Sequence, residues 1–345
     1  MRPDSEDDLS AMIRAASGPV SITGGATRLR PGEGQGARID MRGLSGITLY
    51  EPEALTLVVR AGTLLTDLQA ALAAENQMLA FEPDPREGST IGGVAAANAS
   101  GPRRVSAGAC RDAMLGIRMV TGEGEIIRNG GRVMKNVTGY DLVKLAAGSR
   151  GTLGAITELA LKTAPVPPVR ATLQLSGLDD AGAIAAMTTA LTSPFDVTGA
   201  GRLTDGTVIL RLEGLAGSVE YRAERLRAAL GGRAGIDTAE GDEDFAALRD
   251  DAALGEGALW RIVLRPSQAG AVLAQLPGAH VVDWGGALIR AAAPAGWRPD
   301  LPPGARAVCE RGAPVTLPET DPMVARLNAG IRAGFDPRGV LQGAA

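Results

Sequence analysis

The segment STIGGVAAANASG, residues 89–101, combines a diglycine with a run of small residues. Hydroxyl side chains precede the diglycine and alanines follow it, which predicts a tight turn that runs into a helix. Glycine allows the backbone to approach a bound group closely, and the start of a helix favours negative charge. The segment is therefore a candidate binding site for cofactor phosphates, although a diglycine is more often only a turn.

Two more glycine-rich segments lie on either side of it in the sequence. TGGAT, residues 23–27, follows a predicted strand at 19–22, and GSRGTLGAI, residues 148–156, leads into a predicted strand at 155–162. Neither segment is a Rossmann GxGxxG or a Walker A loop. Backbone N–H groups in such segments can hold a pyrophosphate, so the three together predict a dinucleotide-type cofactor between about residues 20 and 165.

The pattern of elements changes after the prolines at 165, 167 and 168. Residues 9–165 alternate short strands, glycine turns and helices, with a predicted hairpin around 121–124. Residues 170–295 contain the order strand, helix, hairpin twice, with an Asp205-Gly206 turn in the first copy. This order predicts an antiparallel sheet with helices on one face.

The C-terminal part contains a predicted amphipathic helix. Asp321 can cap it and Pro322 can occupy its first position. Met323, Leu327 and Ile331 fall on one face, so we expect this helix to dock on one of the domains.

Composition excludes several classes of function. The chain has 345 residues, 45% of them hydrophobic and 21% charged, which is typical of a globular protein with two domains. A net charge of −4 gives no electrostatic reason to bind nucleic acid. The acidic N-terminus lacks a signal-peptide pattern, and no long apolar run predicts a transmembrane segment.

Histidine and cysteine are rare, which bears on metal chemistry. The chain contains one histidine, His280, and two cysteines, Cys110 and Cys309. These residues are too few for an iron–sulfur cluster or for a histidine-based metal site with a histidine base. We therefore predict no metal site in this chain.

The order of the segments resembles the FAD-binding domain of the vanillyl-alcohol oxidase and p-cresol methylhydroxylase (PCMH) type over residues 18–165. The match rests on TGGAT, on TIGG with its small-residue helix, on GACRD at 108–112 and on GSRGTLG. The stretch RVMKNVTGYDL, residues 132–142, resembles more narrowly the FAD-binding subunits of bacterial glycolate oxidases. FDPRGVL at 335–341 also resembles that family, with Gln342 where an asparagine is usual.

The resemblance implies an α+β fold with a two-subdomain PCMH-type FAD-binding domain at 1–168. A smaller antiparallel-sheet cap domain at 169–310 and a C-terminal piece with the docking helix at 311–345 would follow. The resemblance also implies cofactor-binding roles for Gly24, Gly25, Ala26, Thr27, Thr90, Gly92, Gly93, Ser100, Gly101, Asp112, Gly151, Gly154 and Ile156. We expect FAD to be non-covalent, because His280 lies outside the matched region and Cys110 is better explained as a buried structural thiol.

The implied function is an accessory one. Catalytic members of this group that oxidise glycolate or D-lactate carry a histidine-rich metal site in the second domain, and this chain has only His280 there. The chain is expected to hold FAD beside a catalytic flavin subunit and an iron–sulfur subunit. It would assist oxidation of glycolate to glyoxylate and electron transfer, in the cytoplasm or peripherally at the inner membrane.

Two alternatives stay open, and no catalytic residue is singled out. The chain could be a self-sufficient FAD-dependent D-2-hydroxyacid dehydrogenase, which would reduce its flavin with substrate unaided. It could instead be a structural subunit without catalysis. Tyr140 and Arg150 could assist a substrate, but the sequence does not distinguish them.

Overall fold

The computed structural model describes residues 1–132, 139–231, 235–240, 243–249, 251–314 and 321–342. The chain forms two compact units. The first comprises Met1–Ser100, Gly108–Val166 and Pro318–Ala345, and the second comprises Gly101–Ala107 and Pro167–Leu317. Our sequence interpretation had assigned residues 101–107 to the first domain. The stretch KNVT at 135–138, on which part of the resemblance rests, lies outside the described residues.

Over the residues that the structure describes, the first unit contains three small sheets. Its strands are β1 Val20–Thr23, β2 Ala37–Asp40, β3 Ile47–Glu51, β4 Thr56–Arg60, β5 Gln77–Met78, β6 Met114–Val120, β7 Ile126–Gly130, β8 Ala155–Lys162 and β9 Ala164–Pro165. A parallel pair joins β1 to β2, an antiparallel sheet has the order β3-β4-β8-β6-β7, and β5 pairs with β9. The predicted hairpin around 121–124 is confirmed as the β6–β7 pair.

The helices described in the first unit have 4 to 14 residues, and those before residue 150 bury apolar residues in its core. They are α1 Glu6–Ala15, α2 Leu65–Ala74, α3 Ile91–Ala96, α5 Cys110–Ala113, α6 Leu142–Ala146 and α11 Pro322–Phe335, while α4, Arg104–Ala107, belongs to the second unit. Leu65, Leu68 and Leu72 of α2 are fully buried. Leu64 is the N-cap residue of α2, and the Thr63 hydroxyl donates to the Arg60 carbonyl at 2.7 Å.

Strand β1 has neighbours from both ends of the sequence. It pairs with β2 on one edge, and on the other edge Val20 forms a parallel bridge with Leu341. The Val20 N–H donates to the Val340 carbonyl at 2.8 Å, and the Gln342 N–H donates to the Val20 carbonyl at 2.9 Å. Val340 and Leu341 are buried in one cluster with Leu9 and Ile13 of α1, so the C-terminal segment completes the core behind the TGGAT loop.

The elements of the second unit are β10 Val169–Ser176, α7 Asp180–Leu191, β11 Gly199–Arg202, β12 Val208–Gly214, α8 Ala216–Leu230, β13 Gly235–Glu240, α9 Glu243–Ala247, β14 Ala258–Val263, α10 Ala269–Leu273, β15 His280–Asp283, β16 Leu288–Ala293 and β17 Arg306–Arg311. In the part of the chain that the structure describes, its strands form one antiparallel sheet of eight, in the order β13-β10-β12-β11-β15-β16-β14-β17. The predicted order of strand, helix and hairpin appears as β10-α7-β11-β12 and as β14-α10-β15-β16.

The two copies meet at the centre of the sheet, where Arg202 of β11 pairs with Val282 of β15. Helices α7, α8 and α10 cover one face, and their small and apolar residues pack on Trp260, Ile262 and their neighbours. On the opposite face a smaller cluster gathers around Phe245 and Leu248. The three longer helices therefore cover one face, as predicted, whereas the short helix α9, which carries Phe245, lies on the other face.

Residues 101–107 are fixed to this sheet by a buried ion pair. The Arg103 guanidinium donates to the Glu213 carboxylate at 2.7 and 2.9 Å, and 7% and 6% of the two side chains are exposed. Burial raises the pKa of Glu213, but the hydrogen bond and charge of Arg103 outweigh it, so the pKa lies below its ordinary value. Burying such a pair is expensive unless the geometry is good, and here it attaches the segment firmly.

The C-terminal helix α11 begins as predicted. The Asp321 carboxylate accepts from the N–H groups of Met323 and Val324, and Pro322 is the first helical residue. The helix meets the first unit at its end, where Phe335 packs against the core. The face that was predicted to dock does not pack there, because Met323, Leu327 and Ile331 are exposed. Among the described helices, none combines the length and apolar character that a membrane span requires.

Candidate functional site

A cleft in the first unit is lined by all three glycine-rich segments. Ten of the thirteen residues expected to bind the cofactor lie on its walls: Gly24, Gly25, Ala26, Thr27, Thr90, Gly92, Gly93, Gly151, Gly154 and Ile156. The cleft thus brings together segments that are up to about 130 residues apart in the sequence.

The TGGAT loop offers backbone donors to this cleft. Ala26 has a φ of +57°, so the loop turns through the left-handed region at that residue. Within the described part of the chain, the N–H groups of Gly25, Ala26 and Thr27 donate no hydrogen bond. Successive N–H groups in such a conformation form a concave site for an anion. Because uncompensated N–H groups are costly when a site is closed off from water, these three are suited to phosphate oxygens.

Two glycines are required by close backbone packing around the loop. A Cβ atom on Gly25 would lie 1.7 Å from the Gly88 carbonyl oxygen, and one on Gly92 would lie 2.6 Å from the Ala61 Cβ. The Gly92 N–H donates to the Ala61 carbonyl at 2.8 Å, which fixes the start of α3. Thr90 caps that helix by accepting from the Gly93 N–H at 3.3 Å.

An ion pair joins two walls of the cleft. The Arg150 Nε donates to Glu33 Oε1 at 2.9 Å, Arg150 Nη2 contacts Glu33 Oε2, and Nη2 also donates to the Arg28 carbonyl at 2.5 Å. The two side chains are 13% and 7% exposed. Arg150 has a φ of +54°, and such strain in a non-glycine residue is typical of positions held by their surroundings. Arg28, Glu33 and Arg150 all line the cleft.

Three expected residues are not on the cleft walls. Ser100 accepts from the Cys110 N–H at 2.9 Å, and Asp112 accepts from the Ala109 N–H at 2.8 Å. The Gly101 carbonyl accepts from the Trp284 indole N–H at 3.0 Å within the second unit. None of the three lines the cleft, and their cofactor role stays a prediction.

Sequence reasoning missed Glu33, and did not single out Arg150. Glu33 lies in the run PGEGQG at 31–36, which is typical of a loop, and its partner is 117 residues away. No local pattern signals such a pair. The apolar lining residues Met41 and Ala61 were missed for the same reason.

Cys110 is the residue that bears on covalent attachment of the cofactor, and His280 is the residue that bears on base catalysis. Cys110 is fully buried, and burial raises the pKa of its thiol to about 12, so the thiol is neutral near pH 7. His280 Nε2 lies 3.1 Å from Arg202 Nη1, which can only donate, while Nδ1 lies 3.3 Å from the Gly278 carbonyl. Because Arg202 can only donate, Nε2 must be the acceptor of that contact, and the tautomer with a proton on Nδ1 fits both contacts. Across the described ranges, no group of His, Cys, Asp and Glu side chains is arranged to hold a metal ion.

The residues of the cleft fit a flavin dinucleotide. The unpaired N–H groups suit its pyrophosphate, and the guanidinium groups of Arg28 and Arg150 supply positive charge. Ile22, Met41 and Ile156 add an apolar wall against which a ring system can pack.

Comparison with known proteins agrees with this geometry. Residues 1–130 match the family described as FAD binding domain. The chain is 39% identical over 277 residues to glycolate oxidase subunit GlcE of Escherichia coli (strain K12), covering 78% of this chain and 75% of that protein. It is 36% identical over 180 residues to glycolate oxidase subunit GlcD of Bacillus subtilis (strain 168), covering 50% of this chain and 38% of that protein.

A solved structure shows the same fold over the whole chain. Alkyldihydroxyacetonephosphate synthase superposes with a TM-score of 0.68 at 14% identity, covering 100% of this chain and 75% of that one. The fold is therefore that of PCMH-type FAD proteins, and FAD is the cofactor. The chain belongs to the family of FAD-linked oxidoreductases that includes glycolate oxidase subunit GlcE.

Proposed function

We propose that this chain is the FAD-holding accessory subunit of a glycolate oxidase complex, which assists oxidation of glycolate to glyoxylate. The observation that carries the proposal is the similarity to GlcE over 78% of the chain, joined to a cleft built from the three glycine-rich segments. The partners would be a catalytic flavin subunit and an iron–sulfur subunit. Electrons would pass to these partners, in the cytoplasm or at the membrane surface.

The chain's own residues would bind and orient the cofactor. FAD, when bound, supplies a carrier that takes two electrons from one partner and releases them singly to another. The TGGAT loop would receive the pyrophosphate, and Arg150 would be held in place by Glu33. The thiol of Cys110 is neutral and buried, which supports non-covalent binding.

The state of its one histidine supports an accessory role. Oxidation of a 2-hydroxy acid needs a base for the hydroxyl proton, and His is the usual one. His280 instead accepts a hydrogen bond from Arg202 at Nε2. Among the described residues, no other histidine exists to replace it.

The test is anaerobic mixing of the purified chain with glycolate and with D-lactate, while the flavin absorbance is recorded. We expect a yellow protein that stays oxidised alone and is reduced by glycolate only after the catalytic flavin subunit is added. Bleaching by either acid without that subunit would establish the self-sufficient dehydrogenase instead. A colourless protein that takes up no added FAD would overturn the proposal and favour a structural subunit.

A matched pair of variants locates the FAD in the cleft. Gly25→Ala places a methyl group 1.7 Å from the Gly88 carbonyl oxygen and must displace the loop, so FAD binding should fall at least about tenfold. Gly18→Ala meets nothing within 4 Å and should bind FAD like the unaltered chain. Equal FAD content in the two variants would place the cofactor elsewhere.

A further inference from the structure

One arginine on the sheet of the second unit lacks the partners that its environment demands. Arg261 lies in the middle of β14, whose neighbouring residues Trp260 and Ile262 point into the main core. Side chains alternate along a strand, so Arg261 lies on the opposite face. It is only partly exposed, and burial lowers the pKa of its guanidinium below its ordinary value.

The neighbouring strand makes this environment more positive. Arg261 pairs in register with Arg290 of β16, and like charges directly opposite each other are destabilising. Arg290 is neutralised, because it contacts Asp251 and lies 3.7 Å from the Glu310 carboxylate. Within the described residues, Arg261 makes no ion pair and no hydrogen bond. At longer range, the negative charges of Asp283 and Glu310 raise the pKa of Arg261. The positive charges of Arg104 and Arg290 lower it.

The contact that Arg261 does make is with a fixed aromatic ring. Its guanidinium carbon lies 5.2 Å from the centre of the Trp284 ring, and that of Arg104 lies 4.5 Å from it. The Trp284 indole is anchored by its hydrogen bond to the Gly101 carbonyl, and the ring is buried. A guanidinium on a tryptophan face is held in orientation while its N–H groups stay available.

Backbone strain marks the same place. Trp284 has a φ of +53°, and Gly285 and Gly286 follow at +64° and +101°. A bulky residue in the left-handed region is a genuine outlier, and such outliers collect at ligand and active sites. The Asp283 carboxylate accepts from the Trp284 N–H at 2.6 Å, which stabilises this turn.

We propose that Arg261, held on Trp284, binds the carboxylate of a small 2-hydroxy or 2-oxo acid in the second unit. The unpaired guanidinium fork of Arg261 and its partly buried position match the two oxygens of a carboxylate. The choice of 2-hydroxy and 2-oxo acids rests on the proposed function, whereas the anion site itself rests on the contacts of Arg261. Arg261 would select substrates by their carboxylate and would carry no proton in the reaction.

The test is isothermal titration of the FAD-loaded chain with glycolate, glyoxylate and inorganic phosphate. We expect glycolate and glyoxylate to bind more tightly than phosphate. Arg261→Gln should weaken both acids at least tenfold and leave the flavin content unchanged. Arg298→Gln, an exposed arginine of the same unit, is the matched control and should change neither.

Two further arms keep the proposal falsifiable. Arg261→Lys keeps the positive charge but not the guanidinium fork, so its affinity for the acids should lie between those of the unaltered chain and Arg261→Gln. It replaces Arg261→Gln if that variant does not fold. Trp284→Phe keeps a ring and should weaken the acids without abolishing binding. Equal glycolate binding by the Arg261 variants, phosphate binding as tight as glycolate, or no binding of either acid would overturn the proposal. A chain that binds the acids but no FAD would instead refute the proposed function alone.

Discussion

Arg150 and Glu33 should matter to FAD binding as a pair. Arg150→Gln removes a cation from the cleft and leaves the buried Glu33 carboxylate, among the described residues, with only Arg30, whose Nε lies 3.8 Å away, as an ion-pair partner beside the expected pyrophosphate. We expect the FAD dissociation constant to rise at least about tenfold, or about 1.4 kcal/mol. The double variant Arg150→Gln with Glu33→Gln should regain part of this loss, because the buried negative charge is gone. Fluorescence titration of the apoprotein with FAD measures the dissociation constant, and Arg128→Gln, at an exposed position, is the control. Weaker FAD binding by the double variant than by Arg150→Gln would contradict the pairing.

At the scale of single residues, the sequence predicted the glycines of the cleft better than the partners of its charged side chains. Glycine and small residues signal a cofactor loop through local pattern, and nine such positions do line one cleft. The Glu33–Arg150 pair and the stacking of Arg261 on Trp284 join residues that only the fold brings together. A single sequence carries no local mark of either contact.

At the scale of elements, Glu6 ties helix α1 to the five-stranded sheet. Its carboxylate accepts from Arg118 Nε of β6 at 3.0 Å and contacts the Thr157 hydroxyl of β8. The Arg118 hydrogen bond lowers the pKa of Glu6 despite partial burial. A lowered folded-state pKa contributes stability above the unfolded value, and that stability is lost as pH falls through the folded value.

Glu6→Gln should therefore destabilise the first unit at neutral pH and matter little in acid. We expect about 1 kcal/mol at pH 7, since the pair is partly exposed, shrinking between roughly pH 5 and pH 3. Thermal unfolding across this pH range measures the difference. Asp7→Asn, exposed in the same helical turn, should show no such trend; parallel pH profiles for the two variants would refute the assignment.

The sequence predicted helices and strands correctly where the period of the hydrophobic residues and the positions of the turn residues agreed. Strand β8 has its predicted bounds, and both strand-helix-hairpin copies are present. Strands β13 and β17 were missed, because the first lies in an acidic, glycine-rich stretch and the second alternates too weakly. Both occupy the edges of the sheet, where one neighbour suffices and the sequence constraint is weaker.

At the scale of the whole molecule, Asp336 holds the C-terminal segment in the first unit. Its carboxylate accepts from the N–H groups of Val340 at 3.1 Å and Leu341 at 2.7 Å, and the residue is buried. Asp336→Ala leaves both donors unsatisfied, at a cost of about 2–4 kcal/mol. The temperature at which flavin fluorescence is released should fall by several degrees. Asp4→Ala, which is exposed, should not change it, and an unchanged release temperature for Asp336→Ala would show that this segment is dispensable.

Domain organisation was the part of the whole molecule that the sequence described least fully. The prolines after residue 165 mark the change of unit, but residues 101–107 belong with the later sheet through Arg103 and Glu213. The amphipathic pattern of α11 predicted a helix correctly, but the face that was expected to dock, with Met323, Leu327 and Ile331, is exposed. Periodicity reports that a helix has an apolar face, whereas contacts decide what covers it.

The bridge between Val20 and Leu341 has a consequence for how the protein is made. Translation delivers β1 tens of seconds before residues 340–342, at roughly 5–20 residues per second. During that interval the outer edge of β1 lies open, and the later sheet must be synthesised before the edge is closed. The core of the first unit is therefore completed only after the second unit has been synthesised, although most residues of the first unit were translated before it.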